Sequence, residues 1–536
     1  MDGILSGEKL VDNSKDITYT VGSYLGKGAF AKCYALIDPD ANIFATKVIV
    51  KKDVKSLINK DKIQKEIQIH KNLNHKYIVN FISYFQDDKN IFIVLEYCSC
   101  QSLAELSKRR KTLLIPETRY FTKQIVEACE YLHDNLVIHR DLKLANIFLN
   151  SELVVKVGDF GFSTILDTEA EKKKTLCGTP NYLAPEVILK DGHSFEVDVW
   201  SLGVIIYTLI IGKPPFETSN INDTYRRITS ISYVIPEYLD EDVKEIILSV
   251  LKRDVNSRPT MKMLLEMSFF KGFTPTCLPI SILSCPPRFK LSKTELLQDG
   301  QIVDSPQLLE EYTNLKLLQQ QLKDTLTNVK IISYISHPYL MKESENPKLA
   351  PIFWVSKWVD ITSEYGLFYM LNDNSTGSIF NDDTRLVLAP NDFNFQYIGC
   401  SNQECFYTVD DFPEKIKKKV KLIRNAKNYM NNHLMTAGGD LVVSEQDSMI
   451  RLPNLRQFFM EPSAICFMLS NDTLQVNFQE DHVKLVLCPF MGSVMIIDEN
   501  SEIKTYKLSS LHDNGITEDL LSKFHFVVSI IETTVS

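Results

Sequence analysis

The sequence predicts an α+β protein built from two unlike modules and a proline-rich connector. Three observations carry that expectation. The N-terminal half opens with β-rich runs and then turns to long helical patterns. At its centre stand His139-Arg140-Asp141-Leu142-Lys143-Leu144-Ala145-Asn146 and, a little later, Asp159-Phe160-Gly161. The last third repeats itself at a period of about 100 residues, as short strands of apolar alternation. Between the two, Pro275, Pro279, Pro286 and Pro287 interrupt any regular period.

Composition bounds the rest. The 536 residues leave room for roughly two to four domains. A hydrophobic share of 44% and a charged share of 24% are ordinary globular values. A net charge of -9 argues against general nucleic-acid binding. The 11 cysteines have no regular spacing, and Cys98 and Cys100 lack the second pair a zinc site needs. Met1 to Leu10 has no apolar core, so no secretory leader, reduced thiols and an intracellular protein are expected. The longest apolar run, Leu202 to Ile211, falls short of the ~20 residues that span a bilayer and suits a buried helix.

Residues 1–18 read as a mobile tail, and 19–272 as the first module. Tyr24-Leu25-Gly26-Lys27-Gly28-Ala29-Phe30-Ala31 is a glycine-rich hairpin whose backbone can lie close over phosphates, with Ala31 where a full motif has glycine. Ala45-Thr46-Lys47-Val48-Ile49 follows as a strand, and sets Lys47 to hold phosphates. Its ammonium needs a carboxylate, and Glu66, in the helical stretch Asp61 to Leu73, is the candidate. Ile91 to Cys98 is a buried strand that ends in a connector. Glu117 to Asn135 is helical and leads into the His139–Asn146 loop, and Leu153 to Val157 delivers Asp159.

Phosphoryl transfer needs a carboxylate to orient the attacking hydroxyl, a cation on the moving group and oxygen ligands for magnesium. Asp141 suits the first, Lys143 the second, Asn146 and Asp159 the third. The ordered set resembles the catalytic and magnesium loops of eukaryotic protein kinases, and Lys143 matches the serine/threonine-specific branch. The resemblance implies a bilobal kinase fold that uses ATP and Mg2+. It also implies that Leu95 guards the back pocket, that Glu96 and Cys98 contact the adenine, that Phe148 is its floor and Cys33 part of its roof. Leu25, Gly26, Lys27, Gly28 and Ala45 complete the expected nucleotide site.

Lys172-Lys173-Lys174-Thr175 lies in the switch segment before Ala184-Pro185-Glu186. A phosphate on Thr175 would add roughly two negative charges, and Arg140 is placed to pair with it. That implies an upstream activating kinase. Thr179, in a Gly-Thr-Pro setting, reads as a catalytic-loop contact. By resemblance Glu186 and Arg258 form a buried ion pair, and Asp198 to Gly203 anchors the catalytic loop.

Residues 273–305 read as an extended linker, and contain Arg288-Phe289-Lys290-Leu291, a minimal degradation-signal pattern. Residues 306–350 read as a helical cap, with Leu308, Leu309, Tyr312, Leu315, Leu318, Leu322 and Leu326 at helical spacing. The repeat then spans 351–431 and 432–530. Phe368 to Asp373 recurs as Cys466 to Asp472, and Lys415 to Thr436 is a basic amphipathic helix expected to connect the copies. On a strand, His482 and Lys484 would share one face while Val483 takes the other, which suits a phosphate dianion.

Trp354-Val355-Ser356-Lys357-Trp358-Val359-Asp360 and Asn477-Phe478 through Lys484 resemble polo boxes, and a kinase followed by two of them is the polo-like kinase layout. That resemblance implies a tandem domain of antiparallel sheets with helices. It implies that His482 and Lys484 hold a phosphoserine or phosphothreonine, and that Trp358 and the backbone near Leu434 read the preceding serine. It also implies work in mitosis, in cytoplasm and nucleus, at centrosomes or spindle poles, kinetochores and the division site. Ile361 departs from the pattern, which commonly has an aromatic residue there. A scaffold that had lost catalysis would lack one of Lys47, Asp141, Asn146 or Asp159, and all are present. A kinase with a silent C-terminal module would lack His482 or Lys484, and both are present.

Overall fold

A computed structural model describes residues 7–535 except 14, 29–30, 54–56, 288–312, 337 and 435–450. The chain divides into units Met1–Leu278 and Pro279–Ser536.

The first unit begins with a sheet of β1 (Lys9–Asp12), β2 (Ile17–Lys27), β3 (Lys32–Ile37), β4 (Ile43–Val50), β5 (Phe81–Gln86) and β6 (Asn90–Glu96), in the order β1-β2-β3-β4-β6-β5. Strand alternation sends Tyr19, Val21, Tyr34, Leu36, Val48, Phe92 and Val94 into one core. The other face buries Ala31, Ile49 and Ile93 against Ile67 of α1 (Leu57–His70). The N-terminal tail differs from expectation. β1 pairs antiparallel with β2, Leu10 joins the core, and buried Asp12 accepts a 2.9 Å hydrogen bond from Ser83 Oγ. Only 4 residues long, with one inward leucine, this strand is too short to show a period.

The helical part is built around α2 (Ile115–Asp134) and α3 (Glu196–Ile211). Nearly every residue of α3 is buried, which accounts for the long apolar run there, and Gly212 at φ +89° ends the helix. Among the described residues no helix is long and apolar enough to cross a membrane. Two short paired strands, Ile147–Leu149 and Val155–Val157, set Phe148 and Asp159 on adjoining chain segments.

The second unit contains two copies of a 6-stranded antiparallel meander. The first is β7 (Val355–Ile361), β8 (Gly366–Leu371), β9 (Thr376–Phe380), β10 (Arg385–Leu388), β11 (Asn394–Ile398) and β12 (Glu404–Thr408). The second is β13 (Leu455–Glu461), β14 (Ala464–Leu469), β15 (Leu474–Phe478), β16 (Lys484–Cys488), β17 (Ser493–Ile497) and β18 (Ile503–Lys507). Each first strand shifts register at the same place, between Val355 and Lys357 and between Leu455 and Gln457. The sheets meet through a core that includes Val355, Leu367, Tyr369 and Val387 of one and Leu455, Ile465, Phe467 and Leu469 of the other.

The basic helix α5 (Lys417–His433) is more than a connection. Val420, Ile423, Ala426 and Met430 cover the outer face of the first sheet. The cap helix α4 (Thr313–Leu326) and α6 (Glu518–Val535) cover the second. Leu308, Leu309 and Tyr312 lie outside the described residues, as do Arg288 to Leu291 and most of the expected linker. Its first part is folded, for Ile280–Leu283 forms a 3-10 turn in which Ser281, Ile282 and Leu283 are buried.

Candidate functional site

The catalytic loop is held from behind by Asp198 at the start of α3. Its carboxylate accepts the backbone N–H groups of His139 (3.0 Å) and Arg140 (2.9 Å), and His133 Nε2 lies 3.0 Å away. Arg140 and Asp159 both sit in the left-handed region, at φ +65° and +62°, conformations that persist only where the surroundings hold them.

That frame brings the expected residues together. Lys143 Nζ donates to Asp141 Oδ2 at 2.7 Å and to Thr179 Oγ1 at 2.8 Å. Thr179 in turn donates to Asp141 Oδ1 at 2.7 Å. Asn146 Nδ2 donates to the Asp141 carbonyl at 2.9 Å, which leaves its own carbonyl oxygen for another ligand. Lys47 Nζ lies 2.6 Å from Glu66 Oε1 and 3.1 Å from Asp159 Oδ1. Burial works against the Lys47 charge, but Glu66 and Asp159 outweigh it and raise its pKa above the ordinary value. Burial would raise the Asp159 pKa, and the Lys47 ammonium holds it below the ordinary carboxylate range.

Six of the nucleotide candidates share one property. Leu25, Cys33, Ala45, Leu95, Cys98 and Phe148 are all only half-buried, while Leu36, Val48, Ile93 and Val94 on the same strands are buried. Register places Ala45 opposite both Ala35 and Leu95, and Lys47 opposite Cys33. Phe148 lies against Gly158, where a Cβ would meet its ring at 3.1 Å. Burial pushes the Cys98 thiol up to about 12, so it stays neutral. The Glu96 carboxylate is turned to Asn80 N–H (3.0 Å) and Lys156 Nζ (3.0 Å), and its own N–H donates to Asn80 O at 2.9 Å. Gly26 and Lys27 end β2 opposite Cys33 and Lys32 of β3, and Gly28 N–H, just beyond, donates to Ala31 O at 2.8 Å. The Ala31 methyl packs with Ile49, Ile67 and Ile93, which explains an alanine where the full motif has glycine.

Arg140 NH1 reaches Thr175 Oγ1 at 3.4 Å, and its Nε donates to Phe162 O at 2.7 Å. Arg258 grips Glu186 through two bonds of 2.7 and 2.8 Å. Sequence reasoning missed His70. Its ring lies 4.6 Å from that of Phe160, which is 5.2 Å from His139, so one stack joins α1 to the catalytic loop. The signal was spacing, since Glu66 and His70 share one helix face.

In the second unit Trp358, on edge strand β7, packs against Phe467 of the second sheet with ring centroids 6.0 Å apart. Leu434 caps α5 in an extended conformation, half-buried beside the first copy's core. His482 corrects the expectation that it shares a strand face with Lys484. It sits in the β15–β16 turn at φ +58°, exposed, ahead of a strand that begins at Lys484. Asp481 Oδ1 accepts Val483 N–H at 3.1 Å and Phe478 N–H donates to Val483 O at 2.9 Å, so the turn and not the pleat aims the imidazole. Val483 does turn to the core of the second copy. Lys484 is half-buried, and burial alone lowers its pKa. Among the described residues no carboxylate pairs with Lys484 or His482.

The comparisons agree with this geometry. Residues 19–270 match the protein kinase domain, and residues 363–420 and 461–524 match the POLO box duplicated region. Serine/threonine-protein kinase PLK1 of Xenopus laevis is 43% identical, across 98% of this chain and 92% of the relative. Serine/threonine-protein kinase polo of Drosophila melanogaster is 39% identical across 97% and 95%. Serine/threonine-protein kinase plk-1 of Caenorhabditis elegans is 40% identical across 98% and 88%. Fold and site thus define a protein serine/threonine kinase, an enzyme that uses ATP and a divalent metal, with a duplicated polo-box module. The chain belongs to the polo-like kinase family.

Proposed function

We propose that this kinase transfers the ATP γ-phosphate to serine and threonine of mitotic proteins, and finds them through phosphoserine or phosphothreonine set down earlier by another kinase. The observation that carries the reading is the closed network of Asp141, Lys143 and Thr179, with Lys47 joined to Asp159 beside it. Asp141 orients the substrate hydroxyl and takes its proton. The hydroxyl oxygen bonds to the γ-phosphorus as the bond to the β-phosphate oxygen breaks, and ADP leaves. Lys143 offsets charge on the moving group, and Lys47 fixes the α- and β-phosphates.

Asn146 and Asp159 offer hard oxygen donors that suit Mg2+. Two protein ligands leave further positions for phosphate oxygens and water, the usual way Mg2+ is held beside a nucleotide. The metal would neutralise phosphate charge and hold the leaving group. Half-buried residues Leu25, Cys33, Ala45, Leu95, Cys98 and Phe148 enclose the adenine. Phosphate on Thr175, added by an upstream kinase, would pair with Arg140 and order the switch segment. Lys484, half-buried without a counter-charge, gains most from a bound dianion, and His482 adds to it. Sites of work would be those where primed partners gather in mitosis: spindle poles, kinetochores and the division site.

Transfer of labelled phosphate to casein by the full-length protein tests the enzyme. Asp141→Asn is expected to lower kcat by about 10²–10⁴. Near wild-type turnover in that variant would remove Asp141 from the reaction.

A further inference from the structure

The two sheets hold each other through a pair of unlike contacts. From the first copy, the Tyr369 hydroxyl accepts the backbone N–H of Leu455 on β13 at 2.9 Å. From the second copy, Gln475 grips β7. Its Oε1 accepts Val355 N–H at 2.7 Å and its Nε2 donates to Val355 O at 2.9 Å. Val355 and Leu455 occupy matching positions ahead of matching register shifts. The copies therefore use different side chains for the same task.

Gln475 stands between the two elements assigned to peptide reading. On β15 it lies opposite Phe467 of β14, and Phe467 carries the Trp358 ring at 6.0 Å. Its Nε2 also donates to Asn477 Oδ1 at 2.8 Å, and Asn477 lies directly opposite Lys484. Gln475, Asn477, Phe467 and Lys484 share one sheet face, the side turned to the first copy. Gln475 is fully buried, and its bonds tie a strand of one sheet to the phosphate-side hairpin of the other.

We propose that Gln475 is a positioning residue that fixes the span between the Trp358 strand and the Lys484 pocket, and so sets the demand for serine next to the phosphorylated residue. It touches no peptide. It acts through Val355 on Trp358 and through Asn477 on Lys484. The inference rests on the phosphopeptide-docking reading above.

The test uses the full-length protein and three peptides: Ser-phosphoThr-Pro, Ala-phosphoThr-Pro and unphosphorylated Ser-Thr-Pro. Gln475→Leu keeps the buried volume and removes the bonds to Val355 and Asn477. It is expected to keep binding phosphorylated over unphosphorylated peptide, and to lose the preference for serine over alanine by about tenfold. A general loosening of the fold would weaken both phosphopeptides equally and leave that ratio unmoved. An unchanged ratio, whether both affinities hold or both fall together, overturns the proposal. Should Gln475→Leu lower the melting temperature, Gln475→Glu, which keeps the acceptor for Val355 N–H, is read in its place. Partial return of the serine preference supports the role, and no return overturns it. Wild-type protein that fails to tell phosphorylated from unphosphorylated peptide overturns the docking reading itself, a separate result from a wild type that does so and a Gln475→Leu that matches it.

Discussion

His70 is a buried group whose protonation state decides an internal contact. Its Nε2 lies 2.6 Å from Val79 O, so the neutral ring donates there, and its face meets Phe160. Burial pushes its pKa down from 6.5 to about 4. Between those values the unfolded chain binds the extra proton and the folded chain does not. The contribution of the neutral ring is thus complete above about 6.5 and drains away as pH falls to about 4. The stake is on the order of 3 kcal/mol. Melting temperatures of wild type and His70→Gln, measured from pH 4 to 7, check it. The variant keeps a donor for Val79 O and is expected to show the shallower acid slope, whereas parallel slopes would assign the acid sensitivity to other groups. The residues of the catalytic network were legible in the sequence because the chemistry fixes both type and spacing at Lys47, Asp141, Lys143, Asn146 and Asp159. His70 was not, because a buried imidazole that takes part in no bond-making carries only a helical spacing. His482 was legible in type but not in conformation. A period of two describes a strand, and an Asp481-led turn with His482 at φ +58° breaks it.

Among the elements, the paired meanders show what a repeat can and cannot reveal. The recurrence of Phe368 to Asp373 as Cys466 to Asp472 located β8 and β14, and the antiparallel sheets follow from alternation. The role of α5 was hidden, since a basic amphipathic helix reads alike whether it links copies or covers one. Its apolar stripe settles the matter by filling the first copy's outer core. The clasp between sheets was hidden too, because it depends on a side chain that is absent. Gly377 lies opposite Tyr369, and a methyl there would overlap the Tyr369 ring. Gly377→Ala should therefore displace the phenol that holds Leu455 N–H and cost about 1–3 kcal/mol. The expected readout is a lower melting temperature, by roughly 2–4 °C per kcal/mol for a unit of this size. An unshifted transition would mean the ring can move aside freely, and that the clasp is dispensable.

At the scale of the whole molecule, the two units divide the work between chemistry and choice of substrate. In the proposed mechanism Asp141 and Lys143 would act on any acceptor hydroxyl that reaches them, with Lys47 on the nucleotide phosphates, and nothing in their network reads distant sequence. In the proposed reading the C-terminal unit would supply it through Lys484 and Trp358. Tethering a primed protein converts a second-order encounter into an intramolecular one, at effective concentrations of about millimolar for a flexible link. The separation predicts a split that neither unit alone would produce. His482→Ala/Lys484→Met in the full-length protein should leave kcat/KM for a short unprimed peptide unchanged. It should lower kcat/KM by about 100-fold for a protein substrate that carries a phosphothreonine distant from its acceptor site. Equal rates on the primed protein would show that docking contributes nothing to turnover. An equal fall on both substrates would place His482 and Lys484 in support of the kinase unit itself. The expected pattern, a loss confined to the primed substrate, follows only if phosphate capture works by raising local concentration.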